Sequence, residues 1–323
     1  MKRKNAVAVG LSKVVQIKEF GIACALIAIM LIVGSINNTF FAFENIINML
    51  RSACGIFIIA IPTTMVLISA GLDLSVGSVV ALAGICTGNL VVMGYPALFC
   101  IFVGLLVGMA IGGLNGFLIV VAKMPPLIVT LGMMFSISGL VIGITNGAPV
   151  YPFTEEFKII GQGHIGVVPL SVIITMGLAV VAHISLTKTR YGRSIFAIGG
   201  NEEVSRLSGI SISKIKMSVY MLSGMAAALS GIFLASRLNS AQPSAGSGYE
   251  MQVIASVIIG GTSMFGGSGS ILGSFIGCFL MTVITTGMVL ARVSAYWQDF
   301  IMGIIIILAV FMDRVKRSKS GLQ

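Results

Sequence analysis

The chain predicts an all-α polytopic membrane protein with about ten transmembrane helices. Three observations carry that expectation. Of its 323 residues, 57% are hydrophobic and 9% charged, and the mean hydropathy is +1.06, a composition typical of chains that span a bilayer several times. Apolar runs of about 20 residues, the length that crosses a hydrocarbon core, recur from residue 20 almost to the C-terminus. The basic residues are also spread unevenly over the connections between those runs.

Punctuation by Gly, Pro, Asn and charge places the spans at residues 20–37, 46–69, 74–93, 96–121, 126–146, 168–187, 216–237, 252–265, 271–291 and 296–312. The third and eighth are the weakest, because their ends are rich in Gly and Ser and the eighth is short. The stretch before Phe20 is basic, but no small-x-small cleavage pattern closes the first apolar run. It reads as a retained span, not a signal peptide. Ten spans place both termini on one side. With the N-terminus inside, sixteen of the twenty Lys/Arg fall on inner segments, and Arg51, Lys158, Arg237 and Arg292 are outside. That asymmetry predicts cytoplasmic termini. The organisation is then a cytoplasmic tail over residues 1–19, a single transmembrane domain over 20–313 and a second tail over 314–323.

The net charge of +10 is explained by this orientation bias, so a nucleic-acid partner is not implied. Cys24, Cys54, Cys86, Cys100 and Cys278 all lie in apolar runs, and no C-x-x-C occurs. They read as small packing residues. His164 and His183 stand alone. No metal site, cofactor or catalytic residue is expected: the chain has no nucleophile–base constellation, no H-E-x-x-H and no G-x-x-x-x-G-K-[ST], which argues against an enzyme.

The sixth and seventh spans are separated by TKTRYGRSIFAIGGNEEVSRLSGISISKIK, residues 187–216, with six Lys/Arg. A loop of that polarity belongs in water or against a protein. Asn201 or Gly200 can cap one short helix that carries Glu202 and Glu203 in its first turn, where the helix dipole favours acids. Gly209 is placed to end it. Arg206 falls at i+3 and i+4 from the two glutamates, on their face, and Val204 and Leu207 supply an apolar counterpart. Two readings stand: an ordinary cytoplasmic loop, or a docking helix for a cytoplasmic partner. On the opposite side, residues 146–168 form the longest polar excursion, with a short helix expected at TEEFKII. It is either a plain solvated loop or a contact for an extracytoplasmic protein.

A weak internal repeat pairs Ser69-Ala70-Gly71 with Ser244-Ala245-Gly246, 175 residues on, each followed by a lone acid, Asp73 and Glu250. Five spans per copy would invert the second copy relative to the first, as in many transporter folds. GLDLSVGS, residues 71–78, interrupts an apolar region around Asp73. An ionisable group there either marks a pathway or caps the next helix together with Ser75 and Ser78. Residues 237–250 offer amides and hydroxyls suited to a neutral polyhydroxylated solute, or form an external turn. The expected translocation pathway or gate is Asp73, Ser75, Asn239, Gln242 and Glu250. The glycine-rich run GGTSMFGGSGS, residues 260–270, reads as a tight inner turn that allows close helix packing. Intramembrane ionisable residues are scarce: Asp73, Arg51, Glu250 and Asp299. That scarcity points away from an ion-coupled secondary sugar carrier and towards an external energy source.

GLDLSVGS, RYGRSIFAIGGNEEVSRLSGI, SRLNSAQPSAGSGYE and VIIGGTSMFGGSGSILG occur in this order. Together they resemble the membrane-spanning permease subunit of bacterial ribose-type ABC sugar importers, over about residues 45–313. The resemblance implies a multi-pass bacterial inner-membrane protein that moves a monosaccharide and has no ATPase of its own. It implies three partners besides the lipid bilayer: a cytoplasmic ATP-binding-cassette ATPase, a periplasmic sugar-binding protein, and a second permease copy, identical or related. It further implies a coupling helix between spans six and seven, within residues 188–216, carried by Gly200, Asn201, Glu202, Glu203, Arg206 and Gly209. Sister permeases carry ribose, other pentoses and hexoses, or autoinducer-2. LNSAQP with GSGYE looks most like the ribose members.

Overall fold

The computed structural model describes residues 20–319; the expected tail over 1–19 and residues 320–323 lie outside the described residues. The helices are α1 (Phe20–Ile36), α2 (Phe43–Ile68), α3 (Val76–Val92), α4 (Ala97–Val120), α5 (Pro126–Thr145), α6 (Glu155–Gln162), α7 (Leu170–Lys188), α8 (Arg190–Gly200), α9 (Glu202–Leu207), α10 (Ile212–Leu238), α11 (Tyr249–Ile259), α12 (Ile271–Leu290) and α13 (Ala295–Lys319). The only sheet among the described residues is a two-strand antiparallel hairpin, β1 (His164–Ile165) with β2 (Val168–Pro169).

Seven helices, α2, α4, α5, α7, α10, α12 and α13, are long and apolar enough to cross a membrane; α1, α3 and α11 are shorter apolar helices. These ten lie on the ten apolar segments read from the sequence. Three departures matter beyond shifts of a few residues at helix ends. The eighth segment, expected at 252–265, is the helix Tyr249–Ile259, so Glu250 lies in a helical first turn and not ahead of the span. Residues 260–270 form the turn expected of the glycine-rich run, with Gly261, Gly266 and Gly267 all at positive φ, which no continuing helix can hold; only the expected end of the eighth segment at 265 is displaced. The last helix runs on to Lys319, past the tail boundary expected at 314. The loop between α7 and α10 holds two helices where one was expected. Thr189 starts the additional one, α8, its Oγ1 accepting from Gly192 N at 3.2 Å, and Gly192, Ile195 and Ile198 line its buried face.

The long central helices are α2 and α10. Pro62 interrupts the backbone ladder inside α2, and the neighbouring Thr63 and Thr64 hydroxyls donate to the Ile59 and Ala60 carbonyls at 2.8 and 2.6 Å. Helix α10 packs along α4 through glycines spaced four apart. A Cβ on Gly108 would stand 2.5 Å from the Ala228 Cβ, and one on Gly112 2.9 Å from the Tyr220 carbonyl carbon. The two backbones therefore approach closely. Most of the exposed surface of α5, α7 and α13 is apolar, including Phe135, Leu140, Val180, Val181, Ile307 and Phe311, as suits helices that face lipid.

Two ends of the bundle can be told apart. At one, the 146–169 segment closes over the C-terminal end of α10: Val150 and Ala241 exchange backbone hydrogen bonds at 2.9 and 3.0 Å, and the Ser236 hydroxyl donates to Phe157 O at 2.6 Å. The helix expected at TEEFKII is present as α6. At the other end lie α8, α9 and the 260–270 turn.

Candidate functional site

The site grows from the way α2 ends. Ala70 takes positive φ at 56°, and the amides of Ser69, Ala70 and Gly71 turn back to Met65 O, Leu67 O and Val66 O, which caps the helix and redirects the chain. The next residue, Leu72, has no helical or sheet partner for its peptide groups. Tyr220 of α10 supplies both bonds: its hydroxyl accepts from Leu72 N and donates to Leu72 O, each at 3.2 Å. The peptide groups of Leu72 are thus paired inside the bundle, away from water.

Asp73 follows and is 1% exposed. Its Oδ1 accepts from Ser75 N at 3.0 Å and from Ser75 Oγ at 2.7 Å, and its Oδ2 accepts from Ser223 Oγ of α10 at 2.7 Å. Asn115 of α4 donates through Nδ2 to Ser75 Oγ at 2.8 Å, and Ser78 Oγ donates to Ser75 O at 2.8 Å. A short acid that bonds the backbone two residues on forms an Asx turn, so Asp73 bends the chain into α3 without capping it: Ser75 is the N-cap, and no side chain takes the expected capping bond. Asp73 also ties the α2–α3 break to α4 and α10. The Asn115 Oδ1 atom is buried with no partner among the described residues.

A second break follows α10. Asn239 takes positive φ at 54° and its Oδ1 accepts from Phe153 N at 3.0 Å. It therefore fastens the 146–169 segment. Residues 240–248 then return into the bundle, and α11 starts at Tyr249. The two breaks meet. A Cβ on Gly77, in the first turn of α3, would collide with Glu250 Oε2 and with Gly246 O, and one on Gly246 would stand 2.5 Å from Gly77 O. Only glycine at both positions permits this approach, and Gly246 also needs its φ of 77°. Gln242 lines a cavity of about 110 Å³ between α3 and α10, together with Ala81, Gly84, Gly231, Ser240 and Ser244.

Of the five residues expected on the pathway, Asp73 and Ser75 are directly bonded, and Glu250 stands against the same α3 terminus. Asn239 and Gln242 sit at the end closed by the 146–169 segment. Three polar residues that complete the Asp73 network, Asn115, Ser223 and Tyr220, were not singled out in the sequence. Each is an uncharged polar side chain inside an apolar run, and that was the available signal. Asp299, expected within the membrane, is exposed.

At the opposite end, the loop helices rest on the α2 break. A Cβ on Gly199, in the last turn of α8, would collide with Ile68 O and stand 2.7 Å from Gly267 N, while Gly267 N itself donates to Ile68 O at 2.9 Å. Ile68, the end of α8 and the 260–270 turn form one joint. Asp313 of α13 adds a clasp, accepting from Met264 N at 3.2 Å and Ser263 Oγ at 3.3 Å. Tyr191 of α8 bonds Ser218 Oγ of α10 at 2.8 Å, and burial pushes its phenol above the ordinary tyrosine range while that bond opposes the shift.

Helix α9 has the expected N-cap: Asn201 Oδ1 accepts from Val204 N at 3.0 Å, and Gly209 follows the helix at φ 78°. Gly200 closes α8 instead of opening α9. The expected sharing of Arg206 by both glutamates is corrected. Arg206 reaches Glu203 at 3.5 Å, whereas Glu202 pairs with Lys216 of α10 at 2.6 Å. The Lys216 ammonium arrives from the neighbouring helix and takes Glu202 off the shared face. Ser205 is buried towards the bundle, while Val204 and Leu207 are 56% and 81% exposed. The outward face of α9 thus presents two apolar side chains beside the Glu203–Arg206 pair.

Residues 45–310 match the family of branched-chain amino acid transport system permease components. The chain belongs to this family. The permease is 40% identical to the ribose import permease of Escherichia coli K12 over 91% of this chain and 92% of that protein. It is 37% identical to the ribose import permease of Bacillus subtilis 168, covering 93% and 94% of the two chains. Against the xylose transport system permease of Escherichia coli K12 the identity is 32%, over 95% and 94%. No solved structure matches the chain significantly. The family match begins in the first turn of α2 and ends within α13, so both breaks and both loop helices lie inside it.

Proposed function

We propose that this permease is the membrane-spanning subunit of an ABC importer for ribose, with ATP hydrolysis on a separate cytoplasmic subunit and sugar delivered by a periplasmic binding protein. The observation that carries the sugar is the 37–40% identity to ribose import permeases over nine-tenths of the chain, against 32% to the xylose permease. The protein sits in the bacterial inner membrane with ten spans, both termini cytoplasmic and the 146–168 segment outside. The basic asymmetry supports that orientation. A long helix, a positive-φ break and a short helix occur in the order α2–α3 and again in the order α10–α11. This supports a five-plus-five inverted repeat whose breaks meet at Gly77 and Gly246.

Within that frame α9 is the coupling helix. Its exposed Val204 and Leu207 suit a groove on the ATPase, with Glu203 and Arg206 at its rim, and Gly200, Asn201 and Gly209 set its position. The joint at Ile68 carries its movement to the coil that bears Asp73 and Ser75. These residues, with Glu250, Asn239 and Gln242, form the pathway and its gates for a second permease copy to complete. The test is complementation. An Escherichia coli strain lacking its own ribose and xylose permeases should regain growth on ribose when this chain is expressed with its ATPase and binding protein. Regained growth on xylose alone would reject ribose as the cargo.

A further inference from the structure

Two of the four basic residues that the charge asymmetry places outside, Arg51 and Arg237, come together in space. Arg51 extends from the first half of α2 and Arg237 from the last turn of α10, and both line one cavity of about 250 Å³ with Ser52, Ser171, Ser230 and Tyr249. Arg237 Nη1 donates to Ser52 Oγ at 3.3 Å, and an Arg51 Nη donates to the His164 Nε2 of β1. The Arg51 Nε is buried without a partner among the described residues, and both guanidiniums line the same cavity. The ion pairs among the described residues are Lys158–Glu155, Arg206–Glu203 and Lys216–Glu202, so no carboxylate of the described residues neutralises this pair.

Two half-buried like charges facing one space repel each other and lose hydration, which is unfavourable unless an opposite charge enters. Guanidinium groups present planar forks of N–H donors that match carboxylate and phosphate oxygens. The hydroxyls of Ser52, Ser171 and Tyr249 add donors around the same volume, which has room for a small oxyanion and several waters. We infer that the Arg51–Arg237 cavity is an oxyanion site that takes a small phosphate- or carboxylate-bearing solute. The site is separate from the Asp73 network and independent of which sugar the permease carries. A chain that failed the ribose test could still bind the anion.

The experiment is thermal unfolding of the purified full chain in neutral detergent, with inorganic phosphate against chloride at equal ionic strength. Matching ionic strength removes general screening. Phosphate should raise the midpoint saturably, by about 2–4 °C, and chloride should not. Arg51→Gln and Arg237→Gln should each abolish the phosphate shift and leave the anion-free midpoint equal or higher, because one of two repelling charges is gone. Arg237→Glu supplies the missing carboxylate from within the chain, so it should raise the anion-free midpoint and remove the response. This second variant keeps the proposal testable if either glutamine variant fails to fold. A response confined to nanodiscs with phosphatidylglycerol, absent with free phosphate, would assign the same site to a lipid headgroup. Equal effects of phosphate and chloride, or a phosphate shift that survives Arg237→Glu, would overturn the proposal.

Discussion

Adjacent glycines in α8 provide a matched pair for testing whether the loop helices act mechanically on the pathway. A Cβ on Gly199 would stand 2.7 Å from Gly267 N and closer still to Ile68 O, whereas a Cβ on Gly200 meets nothing within 4 Å. Both obstacles at Gly199 are backbone atoms, so no rotamer change relieves them. To reach an ordinary contact of about 3.4 Å, the end of α8 must withdraw from Ile68 and the 260–270 turn together. The 2.9 Å bond from Gly267 N to Ile68 O stands in the same joint. Losing it costs on the order of 1 kcal/mol, rising to about 1–3 kcal/mol if its groups stay buried and unpaired. Gly199→Ala is therefore expected to lower stability by about 1–3 kcal/mol and to reduce the sugar moved per ATP hydrolysed, while the ATPase still binds through α9. Gly200→Ala should be neutral or gain a few tenths of a kcal/mol from helix propensity. The assay measures ATP hydrolysis and sugar uptake on the same vesicles, with thermal unfolding alongside. Indistinguishable coupling ratios for the two variants would refute the joint as the route of transmission.

The remaining predictions concern single side chains and orientation. Ser223→Ala removes one of the three hydrogen bonds that Asp73 accepts and should cost about 1.5–3 kcal/mol in thermal or denaturant unfolding; a loss under 0.5 kcal/mol would mean that water replaces the hydroxyl. Asp73→Asn should abolish uptake without changing the sugar affinity of the binding protein, measured by titration of that protein alone, and retained uptake would remove Asp73 from the pathway. Glu203→Lys breaks only an exposed pair, worth about 0–1 kcal/mol, so expression should hold while co-purification of the ATPase and uptake are lost; normal co-purification would leave α9 a solvated loop. Single cysteines placed at Lys158 and at Lys188 in a cysteine-free background should label from opposite sides of intact cells, and labelling from the same side would reject the ten-span topology.

Much of the bundle was readable because bilayer crossing imposes one length on every apolar run. Where that constraint weakens, the boundaries moved. Met264 and Phe265 draw the eighth run on to 265, but the residues before them are Gly, Thr and Ser, and the positive φ of Gly261 and Gly266 turns the chain away. Helix α8 was hidden because its sequence ends in Gly199-Gly200, which reads as a loop until the close approach to Ile68 explains the first glycine. Asp73 stood out as a lone acid; it lies buried at the entry to α3, but the N-cap there is Ser75. The polar residues around that break did not stand out: Ser223 and Tyr220 lie on α10 and Asn115 on α4, and only packing brings them to Asp73, Leu72 and Ser75. The glycines of α4 were available as a four-residue stripe, at Gly104, Gly108, Gly112 and Gly116. Which helices they receive, α10 at Gly108, Gly112 and Gly116 and both α3 and α10 at Gly104, depends on the three-dimensional arrangement. The meeting of Arg51 with Arg237 is likewise invisible in a chain that separates them by more than half its length.

ATP-driven import of ribose through this chain can be followed in liposomes holding the permease with its ATPase, the binding protein and labelled ribose on one side and ATP on the other. Accumulation of ribose against its gradient that requires both ATP and the binding protein is the predicted result. Uptake without ATP, driven by a proton or sodium gradient or simply down the ribose gradient, would contradict it.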